Sequence, residues 1–170
     1  TLAIDEQDYF ELVMQTAEKG LREFMEQKSL SVKIYEIEQP DVPLWAVWSI
    51  QQYAKYAGRD LCHKHYEKLV ADIVKYIEEG GHPNLRLDDN GLLYSNGRPV
   101  VPRSGYIVEF NALWYNALKF AASLAQDNGD TKQQEHLEQL AQKTKQSFVE
   151  TFVNEYGYLL DYVDGNMMDW

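Results

Sequence analysis

At 170 residues and 45% hydrophobic content, the chain is long enough for one domain with a real core, and it contains no low-complexity tract. Its formal charge of −11, from 16 basic against 27 acidic residues, opposes nucleic acids and anionic membrane surfaces as partners and favours neutral or cationic ones. A single cysteine, Cys62, rules out an internal disulfide, and the lack of an Asn-x-Ser/Thr acceptor or an apolar signal stretch argues for the cytoplasm.

Five helices are expected, alternating in character. From Asp5 to Gln27, Phe10, Val13, Ala17, Leu21 and Phe24 recur every three or four positions, the pattern of a one-sided outer helix. Val42 to Ala57 is apolar around most of its circumference, with Pro43 where a first helical turn tolerates it, so this helix is expected to be buried. Asp60 to Glu79 is again one-sided. Between Gly80 and Gly105 lie long, aromatic links, in which Asn90-Gly91 between leucines reads as a tight hairpin turn rather than a calcium loop. Val108 to Gln126 is a second helix with apolar character all round, and Thr131 to Val153 is a third one-sided helix.

A repeat underlies this order. WAVWSIQQYAKYAGRD at Trp45 to Asp60 matches WYNALKFAASLAQDNGD at Trp114 to Asp130, and Gly91-Leu92-Leu93-Tyr94 is answered by Gly157-Tyr158-Leu159-Leu160. Helical hairpins that alternate buried and amphipathic members belong to arrays in which neighbours complete each other's core. The expected fold is all-α, an α/α toroid of alternating inner and outer helices with short β-hairpins in the rim loops. The long links favour it over a solenoid. Residues 1–170 form a single domain that is only a partial arc, and the missing initiator Met and the ending Met167-Met168-Asp169-Trp170 fit a fragment of a larger toroid. The rest of the toroid, or a homo-oligomer, is expected to cover the exposed inner-helix surface.

The densest chemistry is in VPRSGYIVEFNALWYNAL at Val101 to Leu118, which places Glu109, Asn111, Trp114 and Asn116 within about two helical turns. Glu109 suits the positive end of the helix dipole, and Arg103, Glu109, Asn111 and Trp114 make a plausible sugar-binding set of charges, amide and aromatic plane. Asp41, ahead of Trp45, is a good N-cap and sits at the same end of the equivalent buried helix. Carboxylates gathered at one rim are what glycoside hydrolysis requires. His63 and His65 are too closely spaced to share a helix face, His82 and His136 stand alone, and no metal or cofactor is expected. Cys62 reads as a packing residue.

DVPLW at Asp41 to Trp45, DDNGLLY at Asp88 to Tyr94, the VPRSGYIVEFNALWYNAL segment and GYLLDYVDG near the end together resemble the C-terminal domain of glycogen debranching enzymes, the amylo-α-1,6-glucosidase family. The resemblance runs from about Pro40 to Gly165. It implies an (α/α)6 toroid that removes α-1,6-linked glucose at branch points of glycogen-like α-glucans, by inversion with two carboxylates and without a metal. Asp41, Trp45, Arg103, Glu109, Asn111 and Trp114 would line its pocket. The family's Thr-Trp-Met-Asp segment, whose Asp is taken as the general acid, is missing where Ser95-Asn96-Gly97 runs into Arg98-Pro99-Val100, and the region of the general base is absent too. The catalytic pair is therefore unassigned, with Glu109 the candidate, better suited to substrate contact than to proton transfer. The chain alone is expected to be inactive. A trehalase-like toroid and a non-catalytic carbohydrate-binding or interaction module are the alternatives.

Overall fold

A computed structural model describes residues 34–96 and 103–164. The helix expected over Asp5 to Gln27 and the Gly97 to Pro99 junction lie outside the described residues. Among the described residues there are four α-helices, α1 (Asp41–Ala57), α2 (Arg59–Glu78), α3 (Val108–Asp127) and α4 (Thr131–Phe152), each matching its expected span to within one residue. A 3-10 turn at Ile34–Glu36 leads towards α1. The links form one antiparallel sheet of β1 (Leu85–Leu87), β2 (Leu93–Ser95), β3 (Gly105–Ile107) and β4 (Tyr162–Val163), paired in that order. The protein is mostly helical with a small sheet, and no described helix is long and apolar enough to cross a membrane.

The sheet is more than the hairpins expected from the sequence. The irregular lead-in to α3 is strand β3, in register with β2 through Tyr94↔Tyr106 and with β4 through Ile107↔Tyr162. Sequence patterning misses strands of two or three residues because they are shorter than one period of any helix alternative. The turn between β1 and β2 is a hairpin, as expected. Asp88 N donates to Leu92 O and Gly91 N to Asp88 O, with Gly91 at a φ of 84°, the three-residue loop that needs a left-handed residue at its end.

Helix α3 is the centre of the core. Phe110, Leu113, Trp114, Leu118, Phe120 and Leu124 are all buried, so it touches neighbours on most sides, as its unbroken apolar character requires. It packs on α1, α2 and α4. Helix α1 departs from expectation. Leu44, Val47, Ile50 and Ala54 are buried, but Trp45, Trp48 and Tyr56 remain exposed along its other side. Its circumference is apolar because two faces are suited to burial, and only one is buried here. Helices α1 and α3 run in the same direction: their C-terminal halves line one groove of about 390 Å³, and Arg59, just past α1, donates to Asp127 at the end of α3 from Nε at 2.6 Å.

Two histidines respond to pH in opposite senses. His82 is buried between the segment before α1 and the α2–β1 link: Nε2 lies 2.9 Å from Ile37 O and Nδ1 accepts from Asn84 N at 3.1 Å. Burial holds its pKa below the ordinary 6.5. His63 Nε2 lies 2.9 Å from Asp127 Oδ2, and this hydrogen bond raises its pKa, against a smaller opposing effect of burial. The unfolded chain binds the His82 proton first, so the stability His82 gives is lost as pH falls through 6.5 and below. That from His63 is full below 6.5 and is lost as pH rises through its raised value. In urea denaturation from about pH 8 to about pH 5.5, the stability gap between wild type and His82→Ala is expected to narrow, and that for His63→Ala to widen.

Gly105 opens β3 at a φ of 111°, and a Cβ there would run into the Val163 carbonyl oxygen and lie 2.8 Å from the Asp164 Cα. Gly129, at a φ of 70°, has nothing within 4 Å of the same position. Gly105→Ala is therefore expected to cost roughly 3 kcal/mol, from strain plus overlap with β4. Gly129→Ala should cost only about 1 kcal/mol, from the left-handed backbone alone. Urea denaturation of the two variants measures the difference.

Candidate functional site

Strand β3 runs directly into α3. Ile107 occupies the N-cap position with extended φ and ψ of −102° and 129° and offers no side-chain cap. The Val108 N–H finds its partner in Asp161 O, 3.1 Å away, so the chain just before β4 supplies what a capping side chain would. Glu109 follows in the first turn, where the helix dipole favours an anion. Its carboxylate is gripped by Arg103, whose guanidinium pairs with Glu109 Oε1 and reaches Oε2 at 3.4 Å. The same guanidinium donates to Asp161 Oδ1 at 2.5 Å. The Glu109 hydrogen bond raises the Arg103 pKa, so the guanidinium keeps its charge throughout the working range. The lead-in to α3, its first turn and the distant Asp161 thus meet at one cation, and Glu109 is held in one orientation with 40% of its side chain exposed.

Asn111 and Trp114, placed with this set by the sequence, are fully buried. The Asn111 side chain accepts from Leu93 N at 2.7 Å and donates to Leu93 O at 3.1 Å and Ile107 O at 3.0 Å. All three bonds go to backbone, and what it does for the site is lock β2 and β3 to the start of α3. Trp114 lies in the core, its indole N–H without a hydrogen-bond partner among the described residues. Neither presents a surface to solvent.

At the start of α1 the arrangement is more open. Asp41 is the first helical residue rather than the expected N-cap, which is Pro40, and no side chain caps this helix. Trp45 is 46% exposed and meets Trp48 edge to face, with ring centroids 5.7 Å apart. Because α1 and α3 run in parallel and pack on each other, Asp41 and Trp45 share an end of the molecule with Arg103 and Glu109. Trp48 and Asp161 belong to this end as well. Sequence reasoning passed over them, although Trp48 lies one helical turn from Trp45 and Asp161 falls within the GYLLDYVDG motif.

This end combines braced and open carboxylates with exposed indoles, donors and acceptors for hydroxyls beside flat apolar rings for a sugar's CH face. Among the described residues no group of three or more His, Cys, Asp or Glu could hold a metal ion. A family model described as amylo-alpha-1,6-glucosidase matches residues 31–169. The chain is therefore a region of glycoside-hydrolase type. It belongs to the amylo-alpha-1,6-glucosidase family. No match was found among curated proteins or among solved structures.

Replacing Asn111 with Leu would leave the Leu93 N–H and C=O buried without partners, for an expected loss of roughly 3 kcal/mol. Trp45→Ala, on the open side of α1, should cost under about 1 kcal/mol. Thermal unfolding of the two variants distinguishes a residue that holds the site together from one available to a ligand.

Proposed function

We propose that this chain is an arc of an α/α toroid whose complete form removes α-1,6-linked glucose at branch points of glycogen-like α-glucans. Asp41, Trp45, Arg103 and Glu109 contact the sugar, with Asn111 and Trp114 as the supports behind them. The observation that carries this reading is the Arg103–Glu109 pair at the head of α3, on the same end of the molecule as Asp41 and Trp45. A carboxylate already pinned by a guanidinium that an aspartate braces in turn has little freedom left to lose when it accepts a sugar hydroxyl, which lowers the cost of binding.

Inversion needs a general acid and a general base about 6.5 to 9.5 Å apart, with a water between the base and the anomeric carbon. Glu109 is poorly suited to either part. Both of its oxygens face the Arg103 guanidinium, whose donors compete with a leaving oxygen or a water for the same lone pairs. Its role is substrate contact, and the acid and base come from segments outside this arc. The reaction takes place in the cytoplasm on a neutral α-glucan, without a cofactor. The rest of the toroid, or a homo-oligomer, covers Trp48 and Tyr56. The surface is too acidic to attract nucleic acid or an anionic membrane.

A non-catalytic carbohydrate-binding module would use the same indoles, and glucose release by the complete protein separates the two readings. For the chain alone, no glucose should be released from glycogen limit dextrin above background. Calorimetry with an α-1,6-branched maltooligosaccharide should still show binding, weakened about tenfold by Trp45→Ala, equivalent to about 1.4 kcal/mol. Enzyme-like turnover by the chain alone, or binding indifferent to Trp45, would contradict the reading.

A further inference from the structure

The repeat in the sequence has a counterpart in hydrogen bonds that shows what one exposed surface lacks. After α2, the turn between β1 and β2 is closed by Asp88 N to Leu92 O and Gly91 N to Asp88 O, with Leu87 opposite Leu93. After α4, the same device recurs: Asn154 N donates to Tyr158 O, Gly157 N to Asn154 O, and Val153 stands opposite Leu159. Gly157 has a φ of 79°, close to the 84° of Gly91. These are two copies of one helix–helix–hairpin unit.

Their surroundings differ. The first turn is seated on α4 of the following unit. Thr144 Oγ1 lies 2.8 Å from Gly91 O, Ser147 Oγ donates to Asn90 O at 2.6 Å, and a Cβ on Gly91 would be 3.1 Å from Thr144 N. Leu92 and Leu93, 0% and 1% exposed, are sealed beneath this contact. At the second turn no described residue lies within 4 Å of the equivalent Gly157 position. Tyr158 and Leu159, which correspond to Leu92 and Leu93, are 72% and 62% exposed, and Val149, Val153 and Tyr156 extend the patch. A contiguous apolar surface of this kind is the mark of an interface. In stacked-repeat architecture the cover for each unit is the next one.

We infer that the Val153–Leu159 hairpin is the docking surface for an amphipathic helix of the α4 kind, supplied by a further unit of the same repeat. The partner helix places small hydroxyl side chains three residues apart against the carbonyls of Tyr156 and Gly157, as Thr144 and Ser147 do at Asn90 and Gly91. Its apolar stripe covers Tyr158 and Leu159. Close approach is possible because Gly157 has no side chain to hold the helix off. The inference does not depend on the glucosidase reading, because it concerns how units stack and not what they act on.

The test uses the full chain and, as the helix, a synthetic peptide of this protein's own Thr131–Phe152 sequence, held helical by lactam bridges on its charged face. Amide NMR should show saturable shifts centred on Gly157 and Tyr158. A peptide carrying Thr144→Val and Ser147→Ala should bind about fivefold more weakly, because the turn carbonyls then lose their donors. Tyr158→Glu in the chain should abolish the shifts, with its folded state checked by the spectrum elsewhere. The inference fails if no shifts appear at the turn, or if they survive Tyr158→Glu. A concentration-dependent dimer dissolved by Tyr158→Glu would place a second copy there instead and overturn it as well.

Discussion

The Asn111 amide is the joint on which the remaining structure depends. Buried at the start of α3, it bonds both polar groups of Leu93 in β2 and the carbonyl of Ile107 in β3, so the sheet cannot shift against the helix without breaking buried hydrogen bonds. The pairing of β3 with β4 then fixes Asp161, whose carbonyl receives the Val108 N–H and whose carboxylate meets Arg103. Arg103 in turn fixes Glu109. The orientation of one exposed carboxylate is thus set by a chain of contacts that begins in the core and passes through Leu93 and Asp161, both distant in sequence from Glu109.

The two ends of the parallel pair α1 and α3 are held by different physics. At the C-terminal end, Arg59, His63 and Asp127 form a charged cluster in partial contact with water, where each pair contributes modestly. At the N-terminal end are the ion pair, two exposed indoles and helix starts without side-chain caps. The positive ends of two helices make this end attractive to oxygen-rich ligands in an otherwise acidic protein. The site is therefore placed by the direction of the helices as much as by the identity of the side chains.

Much of this was legible in the sequence. The four described helices are long, periodic segments, and the period of their apolar residues sets their bounds. The repeat was readable because α1 and α3 carry similar apolar patterns, and it survives down to the hydrogen bonds of the two hairpin turns. What stayed hidden is non-local. Nothing near Asn111 in sequence announces that its amide will meet Leu93, and its place in the aromatic helix made it look like a ligand contact. The two-sided apolar pattern of α1 pointed to burial, yet the pattern cannot say which neighbours are present. Strand β3 is too short to carry a period, and Gly105 signals a special backbone without revealing that β4 lies against it.

In the proposed function, sugar binds between the starts of α1 and α3. The most direct measurement is a crystal structure of the complete protein soaked with an α-1,6-linked glucosyl oligosaccharide. The account predicts a glucosyl ring against Trp45, with hydroxyls in reach of Glu109 or Arg103. A sugar bound instead in the groove beside Lys55 and Lys119, at the opposite ends of these helices, would contradict it.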